Sequence, residues 1–454
     1  MYVISEPKAI IVKILGAQKK CEDINYRPLF YVKKVIVEDG ILLLNLITYE
    51  LIYLSENESH AFSECNDIND ETVKKLIEKW FLVPENTNEL NIVKQVENIA
   101  CLTNKVYTAP KYSSFEILPT TDCDARCYYC FEHGANKKHM TEQTALDVVE
   151  FILKNKVDSE ITIHWFGGEP LYNNKVMDII CNKLKESNTV FTSSITTNGY
   201  LFDENMVERA IKIWNLKKAQ VTLDGTEKIY NKIKNYIYKD ENAYKRVLNN
   251  IELLLKAGVN VQIRMNMTTN NEDDLYLLAT ELTERFKEYN NLVIYSRLII
   301  DESCARIRNT DTEIRTKLVE KQAKLEEFIS RNKKKKYGTR FYEHPIGHCM
   351  ADISSAVLIN PEGKLGKCQY FIDSNMIGSI YEDELDYKRL NWYNEIKTLS
   401  TECDGCIFRP LCIFPKCCFR SKEVCIDLEK QLISERLSAK MIKFYNDFKQ
   451  NNKS

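Results

Sequence analysis

The stretch Phe115-Glu-Ile-Leu-Pro-Thr-Thr-Asp-Cys123-Asp-Ala-Arg-Cys127-Tyr-Tyr-Cys130 joins the two signals that decide how this chain is read. Phe115–Leu118 is a short β-type apolar run, the pattern of a buried strand. The eight residues from Cys123 to Cys130 then place three cysteines in one tight loop. Thiolates are soft ligands suited to iron–sulfur clusters or zinc. Three in one loop with no close fourth suit a four-iron cluster that keeps one iron open. A zinc ion borrowing a distant fourth ligand is the alternative.

Downstream of this strand the pattern alternates. Apolar β-type runs occur at Ile161–Phe166, Val190–Ile195, Ala219–Leu223, Val261–Met267 and Leu292–Ile300. Amphipathic helical stretches separate them at Ala145–Leu153, Val176–Leu184, Met206–Ile213, Val247–Leu255 and Leu275–Phe286. Strands that alternate with helices predict a parallel sheet, because each parallel crossover needs a connecting helix. The fold class is α/β, a partial (β/α)6 TIM-like barrel over about residues 111–310. In such a barrel the chemistry sits at the C-terminal ends of the strands. The second strand ends in Gly167-Gly168-Glu169-Pro170, the third in Thr196-Thr197-Asn198-Gly199 and the fourth in Thr222-Leu223-Asp224-Gly225. The fifth carries Arg264 and Asn266. Taken singly, Gly-Gly and Asn-Gly mark turns. Taken in order, these segments would all face one mouth.

The remaining sequence bounds the function. The chain has 454 residues, room for two or three domains, and 44% hydrophobic with 28% charged residues is an ordinary globular balance. A net charge of -2 gives no electrostatic argument for nucleic acid or an anionic membrane as partner. The run Ile41–Ile47 is too short to span a bilayer, and Lys8 and Lys13 interrupt any signal-peptide pattern. The expected location is the cytoplasm. There the sixteen cysteines are better read as metal or cluster ligands than as disulfides. Five are scattered singly, at Cys21, Cys65, Cys101, Cys181 and Cys304, and read as small buried hydrophobes. Eight crowd the C-terminal part, at Cys349, Cys368, Cys403, Cys406, Cys412, Cys417, Cys418 and Cys425.

Residues 1–110 read as a separate small α+β module. Phe30–Val37 and Ile41–Leu54 flank the turn Glu38-Asp39-Gly40, a hairpin signal, and Asn69–Phe81 looks helical before Pro84 breaks it. Strands followed by a helix suit a winged-helix-like element. Residues 311–345 read as a connecting helix with the short basic run Lys333–Lys336, a solvated turn. Residues 346–454 read as a cysteine-rich domain closed by an amphipathic helix over 427–448.

Cys-x3-Cys-x2-Cys with Tyr129 before the last cysteine resembles the signature of the radical SAM superfamily, whose members cleave S-adenosylmethionine (SAM). The resemblance continues at Gly167–Pro170, Thr196–Gly199 and Thr222–Gly225. It implies that Cys123, Cys127 and Cys130 are catalytic and bind a [4Fe–4S] cluster whose open iron holds SAM. It also implies that Tyr129 lies near the adenine, that Gly167, Gly168, Glu169 and Pro170 hold the amino group, and that Thr197, Asn198, Asp224 and Asn266 line the site. Arg264 is placed to pair with the SAM carboxylate through its planar fork.

The second cysteine group resembles the SPASM domain, which in this superfamily accompanies action on peptides and proteins and holds two auxiliary [4Fe–4S] clusters. Carried over, Cys403, Cys406, Cys412 and Cys425 bind one cluster. Cys349, Cys368 and either Cys417 or Cys418 bind the other. Lys416 stands where the family pattern has a cysteine, so the choice between Cys417 and Cys418 stays open. Cys403-x2-Cys406 is also how a zinc ribbon starts. Within the family, sulfatase maturases follow the Cys368 position with an aspartate base and carry His-Asp-x-x-Arg after strand four. Here Gln369, Tyr230, Asn231 and Lys234 occupy those places, with Asp373 near enough to substitute as base. The more than one hundred residues before the cluster loop resemble instead a leader-peptide recognition element that adds a leader strand to its sheet, with a structural cap on the barrel as the alternative. The implied function is maturation of a ribosomally made precursor peptide, giving a thioether, a carbon–carbon crosslink or another oxidation. The implied partners are that peptide, leader and core, and a reductant such as flavodoxin or ferredoxin. A formylglycine-making maturase and a zinc-stapled binding protein are the alternatives.

Overall fold

The six expected barrel strands form, and they pair in the order in which they occur along the chain. The structure, a computed structural model, describes residues 1–7, 11–12, 15–16, 25–65, 70–103, 111–130, 132, 136–239, 242–299, 312–332, 350–394, 401–411 and 427–451. It divides into two units. One comprises Lys105–Lys335 and Cys349–Glu395, the other Met1–Asn104, Lys336–His348 and Ile396–Ser454. Residues 346–454 are therefore shared between the two.

The strands of the second unit are β1 (Tyr2–Ser5), β2 (Tyr26–Pro28), β3 (Val32–Val37), β4 (Gly40–Asn45), β5 (Leu51–Ser55) and β6 (Leu82–Pro84). The barrel unit holds β7 (Ser114–Ile117), β8 (Ile161–Trp165), β9 (Phe191–Thr197), β10 (Leu216–Thr222), β11 (Asn260–Met267) and β12 (Leu292–Leu298). These six run parallel, each beside its predecessor in the sequence. Ile161, Ile163 and Trp165 of β8 are buried and join one apolar core with residues of the intervening helices. The opposite face of the same strands is polar. Glu116 of β7 pairs in register with His164 of β8, which pairs with Ser194 of β9. His164 Nδ1 lies 2.8 Å from Ser194 Oγ and its Nε2 3.2 Å from Thr196 Oγ1.

Helices of the two units, numbered along the chain, are α1 (Glu56–Ser63), α2 (Glu71–Glu78), α3 (Glu89–Thr103), α4 (Glu142–Asn155), α5 (Asn174–Glu186), α6 (Glu204–Lys212), α7 (Glu227–Lys234), α8 (Ala243–Lys256), α9 (Asp274–Arg285), α10 (Thr312–Asn332), α11 (Tyr387–Asn394) and α12 (Asp427–Asn451). Their starts follow local capping chemistry. Thr141 accepts from Thr144 N, and Asp203 accepts from Met206 N, satisfying otherwise orphaned donors. α7 stops because Asn235 turns left-handed at φ 42°.

The barrel sheet does not end at β7. Within the expected cysteine-rich segment, Ala356–Ile359 forms β13 and runs parallel to β7, with Val357 opposite Phe115. β14 (Lys364–Gly366) and β15 (Gly378–Ser379) continue antiparallel, so the described sheet has nine strands.

In the other unit, β1, β5, β4 and β3 make a four-stranded antiparallel sheet in that order, and β2 pairs with β6. The expected single strand Ile41–Leu54 is in fact two, β4 and β5. Asn45 breaks it, since its side-chain oxygen accepts from Ile47 N and Thr48 N at 2.9 and 3.0 Å, and Tyr49 turns to φ 65°. The expected helix Asn69–Phe81 is shorter, Glu71–Glu78. Asp70 caps it by accepting from Thr72 N and Val73 N, and Trp80 at φ 62° lies outside it. Leu437, Met441 and Tyr445 of α12 pack into this unit's core.

Candidate functional site

All the strand-end segments singled out above lie at the C-terminal ends of β7 to β11, and side-chain bonds tie most of them together. The cysteine loop leaves β7 and is fixed from below. Asp122 N donates to Thr120 Oγ1 at 2.9 Å, and Cys123 N to Asp122 Oδ1 at 2.8 Å. Cys130 N donates to Cys127 O at 3.1 Å, closing the turn between the last two cysteines.

The turn after β8 is stitched to this loop by its backbone. Gly168 N donates to Thr120 O at 3.1 Å and Glu169 N to Asp122 O at 2.9 Å. Glycine is required at both positions. A Cβ on Gly167 would lie 2.2 Å from Thr120 O, and one on Gly168 2.2 Å from Asp122 O. Gly167 also holds φ 121°, a conformation side chains disfavour.

Glu169 is fully buried and its carboxylate is spent on the next strand end. It accepts from Thr197 Oγ1 at 2.9 Å, Asn198 N at 2.8 Å and Leu171 N at 3.1 Å. Burial, with Asp124 as the second cause, pushes the carboxyl up to about 8. Pro170 begins the buried turn that follows. Asn198 reaches back toward the cysteines, donating from Nδ2 to Asp124 Oδ1 at 2.6 Å, with Cys123 Sγ 3.9 Å away.

A second network joins the loop's aromatic residue to the strands beyond. Tyr129 donates its hydroxyl to Asp224 Oδ2 at 2.6 Å. The same oxygen of Tyr129 accepts from Asn266 Nδ2 at 3.2 Å and from Lys234 Nζ at 3.3 Å. Lys234 Nζ pairs with Asp224 Oδ2 at 2.8 Å. Arg264 donates from Nε to Asn266 Oδ1 at 2.8 Å and forms no ion pair among the described residues. Asn271, which the sequence reading passed over, holds this corner by donating to Asp224 O and Asn266 O. Asp124 was missed as well, although its place between two cysteines was a signal.

Of the later cysteines, Cys368, Cys403 and Cys406 are among the described residues. Cys368 follows β14 in the barrel unit and is half-buried. Cys403 and Cys406 belong to the other unit. Cys406 N donates to Cys403 O at 3.1 Å, the same closure as at Cys127–Cys130. Cys349, Cys412, Cys417, Cys418 and Cys425 lie outside the described residues, as do Cys21 and Cys304. Asp373, the substitute base considered above, is instead paired with Lys138 Nζ at 2.8 Å on the surface.

Residues 117–282 match the Radical SAM superfamily. The chain carries a radical SAM domain. It is 28% identical over 247 residues to the radical SAM cyclopropyl synthase TigE of Paramaledivibacter caminithermalis, a match covering 48% of each chain. It is 33% identical over 125 residues to a probable GTP 3′,8-cyclase of Methanococcus aeolicus, covering 26% of this chain and 40% of that one. These matches span half or less of the curated relatives' own length. The fold is that of native anSMEcpe with bound AdoMet, with a TM-score of 0.54 at 17% identity over 73% of this chain and 98% of the other. A radical SAM domain implies a [4Fe–4S] cluster and SAM. Among the described residues, no helix is long and apolar enough to cross a membrane.

The residues present fit those groups. Cys123, Cys127 and Cys130 carry free thiols that are partly exposed. Around the loop, Asp124 Oδ2, Asp224 Oδ1 and both carboxylate oxygens of Glu132 are buried without a hydrogen-bond partner among the described residues. Such orphaned acceptors suit a site that takes up a donor-rich ligand.

Glu116 is a further buried carboxyl, 7% exposed on β7. Its Oε2 accepts from Gln369 Nε2 at 2.8 Å, and Oε1 has no partner among the described residues. Burial pushes it from 4.5 up to about 7. A carboxyl whose folded value is raised contributes stability that is fully present below about 4.5 and lost as pH rises through about 7. Glu116→Gln removes that dependence. The variant should match the native protein near pH 4 and exceed it at pH 8, by at most about 3 kcal/mol. Melting temperatures of both proteins across that range measure this, and parallel curves would refute it.

Proposed function

We propose that the chain is a peptide-modifying radical SAM enzyme with Cys123, Cys127 and Cys130 as ligands of the SAM-binding [4Fe–4S] cluster. The observation that carries this reading is the bonding of the cysteine loop to the turns after β8, β9 and β10 around a set of orphaned buried oxygens. When bound, the cluster supplies the electron that cleaves SAM to methionine and a 5′-deoxyadenosyl radical, which abstracts hydrogen from the substrate.

The protein's own residues bind and orient. Gly167 and Gly168 let the backbone come close enough for SAM to lie along the turn with Glu169 and Pro170. Glu169 fixes Thr197 and Asn198, and Asn198 in turn orients Asp124. Tyr129 is held by Asp224 and Asn266, so its ring keeps one orientation beside the adenine. Arg264, braced by Asn266, presents its guanidinium to the SAM carboxylate. Burial in this mouth excludes water from a reactive species.

A ribosomally made precursor peptide is the proposed substrate, and a thioether, a carbon–carbon crosslink or another oxidation the product. Three features support it. TigE is named a cyclopropyl synthase. A solved structure of the anSMEcpe fold, with TM-score 0.54 and 17% identity, holds AdoMet together with a peptide. The antiparallel sheet of the other unit ends at β3, an edge to which a leader strand could add. Cys349, Cys368, Cys403, Cys406, Cys412, Cys425 and one of Cys417 or Cys418 are proposed to hold auxiliary clusters in a SPASM arrangement. The closure shared by Cys403–Cys406 and Cys127–Cys130 supports this. A flavodoxin or ferredoxin is the proposed reductant.

Iron, sulfide and zinc per chain after anaerobic reconstitution test the ligand assignment. About twelve irons with matching sulfide are expected, and about four would remove the auxiliary clusters while keeping the radical chemistry. Zinc without sulfide would leave a zinc-stapled binding protein. A second reading, a maturase making formylglycine, is favoured by the Glu116 carboxyl beside Gln369. Turnover of a sulfatase-derived peptide would select it over the first.

A further inference from the structure

Lys234 closes α7 with a side chain only 2% exposed. Burying an ammonium is costly unless its partners repay it, and two of the partners here, Asp224 and Tyr129, lead to the cysteine loop. Nζ pairs with Asp224 Oδ2 at 2.8 Å, donates to Thr222 Oγ1 at 2.7 Å and reaches the Tyr129 hydroxyl at 3.3 Å. The backbone grips the same loop. Arg126 N donates to Lys234 O at 2.7 Å, and three residues on, Ile237 N donates to Asp124 O at 2.8 Å. Both bonds fall between Cys123 and Cys127.

A structural ion pair alone would need only Asp224. The reach to Tyr129, between Cys127 and Cys130, and the backbone bonds at Arg126 and Asp124 set a buried cation against the loop that carries all three cysteines.

We propose that Lys234 is a positioning residue that tunes the cluster at Cys123, Cys127 and Cys130, its buried cation making that cluster easier to reduce. This rests on the ligand assignment proposed above. Cluster potentials respond to local charge, hydrogen bonding and exposure. An added electron beside a fixed cation in a poorly screened site is stabilised. Neutralising Lys234 leaves the fully buried Asp224 as an uncompensated anion and should disfavour the reduced state.

The test is an anaerobic potentiometric titration with dithionite, without SAM, followed by EPR. The signal of interest is the one that disappears when Cys123, Cys127 and Cys130 are all replaced by alanine. Native protein, Lys234→Met, Lys234→Arg and the double variant Lys234→Met/Asp224→Asn are compared. In Lys234→Met, the reduced-to-oxidised ratio at a fixed potential should fall at least about threefold, equivalent to about 30 mV for one electron. Lys234→Arg should restore it. A Lys234→Met potential equal to the native one would overturn the proposal. If that variant loads no iron, the double variant decides. A potential below native supports the proposal, and an equal one refutes it. Failure of both to load while Lys234→Arg loads normally would also overturn it, making Lys234 a folding requirement and not a tuner. Absence of the EPR signal from the native protein would instead overturn the ligand assignment.

Discussion

Replacing any one of Cys123, Cys127 and Cys130 with alanine should remove about four irons per chain and take 5′-deoxyadenosine formation down to background. Each thiol would be one of three protein ligands. Two of the nearby carboxylates are already committed. Glu169 is engaged by Thr197, Asn198 and Leu171, and Asp224 by Tyr129 and Lys234. The loss should be local. None of the three cysteines belongs to the barrel core, and the loop is held by backbone bonds of Arg126 to Lys234, Asp124 to Ile237 and Asp122 to Glu169 that do not involve sulfur. Circular dichroism should therefore match the native protein while iron and product vanish. Cys181→Ala is the internal control. That thiol is fully buried in the barrel core, where burial holds it protonated, so its loss should cost about 1 kcal/mol of stability and no iron. Retention of full iron by two of the three loop variants would refute the assignment.

The barrel was legible because parallel strands buried on one face by helices write their period into the sequence. Ile161, Ile163 and Trp165 alternate with Thr162 and His164, and the strand ends carry glycine where the backbone must come close. Two kinds of feature were not legible. The first is pairing over long separations. Nothing in Ala356–Ile359 says that it lies beside β7, and a run of four buried residues looks the same in any sheet. The second is polar pairing across elements. Lys234 was visible only as the residue standing where a related family has arginine, and Glu116 only as a charge inside a strand. Their partners, Asp224 with Tyr129 and Gln369, come from other strands and loops. The strand Ile41–Leu54 was misread for a local reason. Apolar content favours one continuous strand, but Asn45 satisfies two backbone donors with its own side chain and turns the chain back.

Gly168→Ala should reduce SAM cleavage at least about 100-fold, the scale of loss expected from an ångström-sized misplacement at a reacting centre. The added Cβ would stand 2.2 Å from Asp122 O and 2.8 Å from Thr121 O, both backbone atoms of the segment that leads from β7 into the cysteine loop. Neither can swing aside as a side chain would. Relief requires the turn to retreat, which breaks the bonds from Gly168 N to Thr120 O and from Glu169 N to Asp122 O. Together with the overpacking, this should cost roughly 3–5 kcal/mol of stability. It also carries Glu169 away from Thr197 and Asn198, so the effect reaches Asp124 and Cys123 through Asn198. Gly258→Ala separates this steric cause from ordinary backbone strain. Gly258 holds φ +81° but has nothing within 4 Å of a Cβ, so its variant should lose about 1 kcal/mol and keep its chemistry. Measured side by side, SAM binding by equilibrium dialysis and 5′-deoxyadenosine yield should fall in the first variant and not in the second. Equal SAM binding in both would mean that the turn after β8 is a brace for the barrel and not a wall of the SAM site.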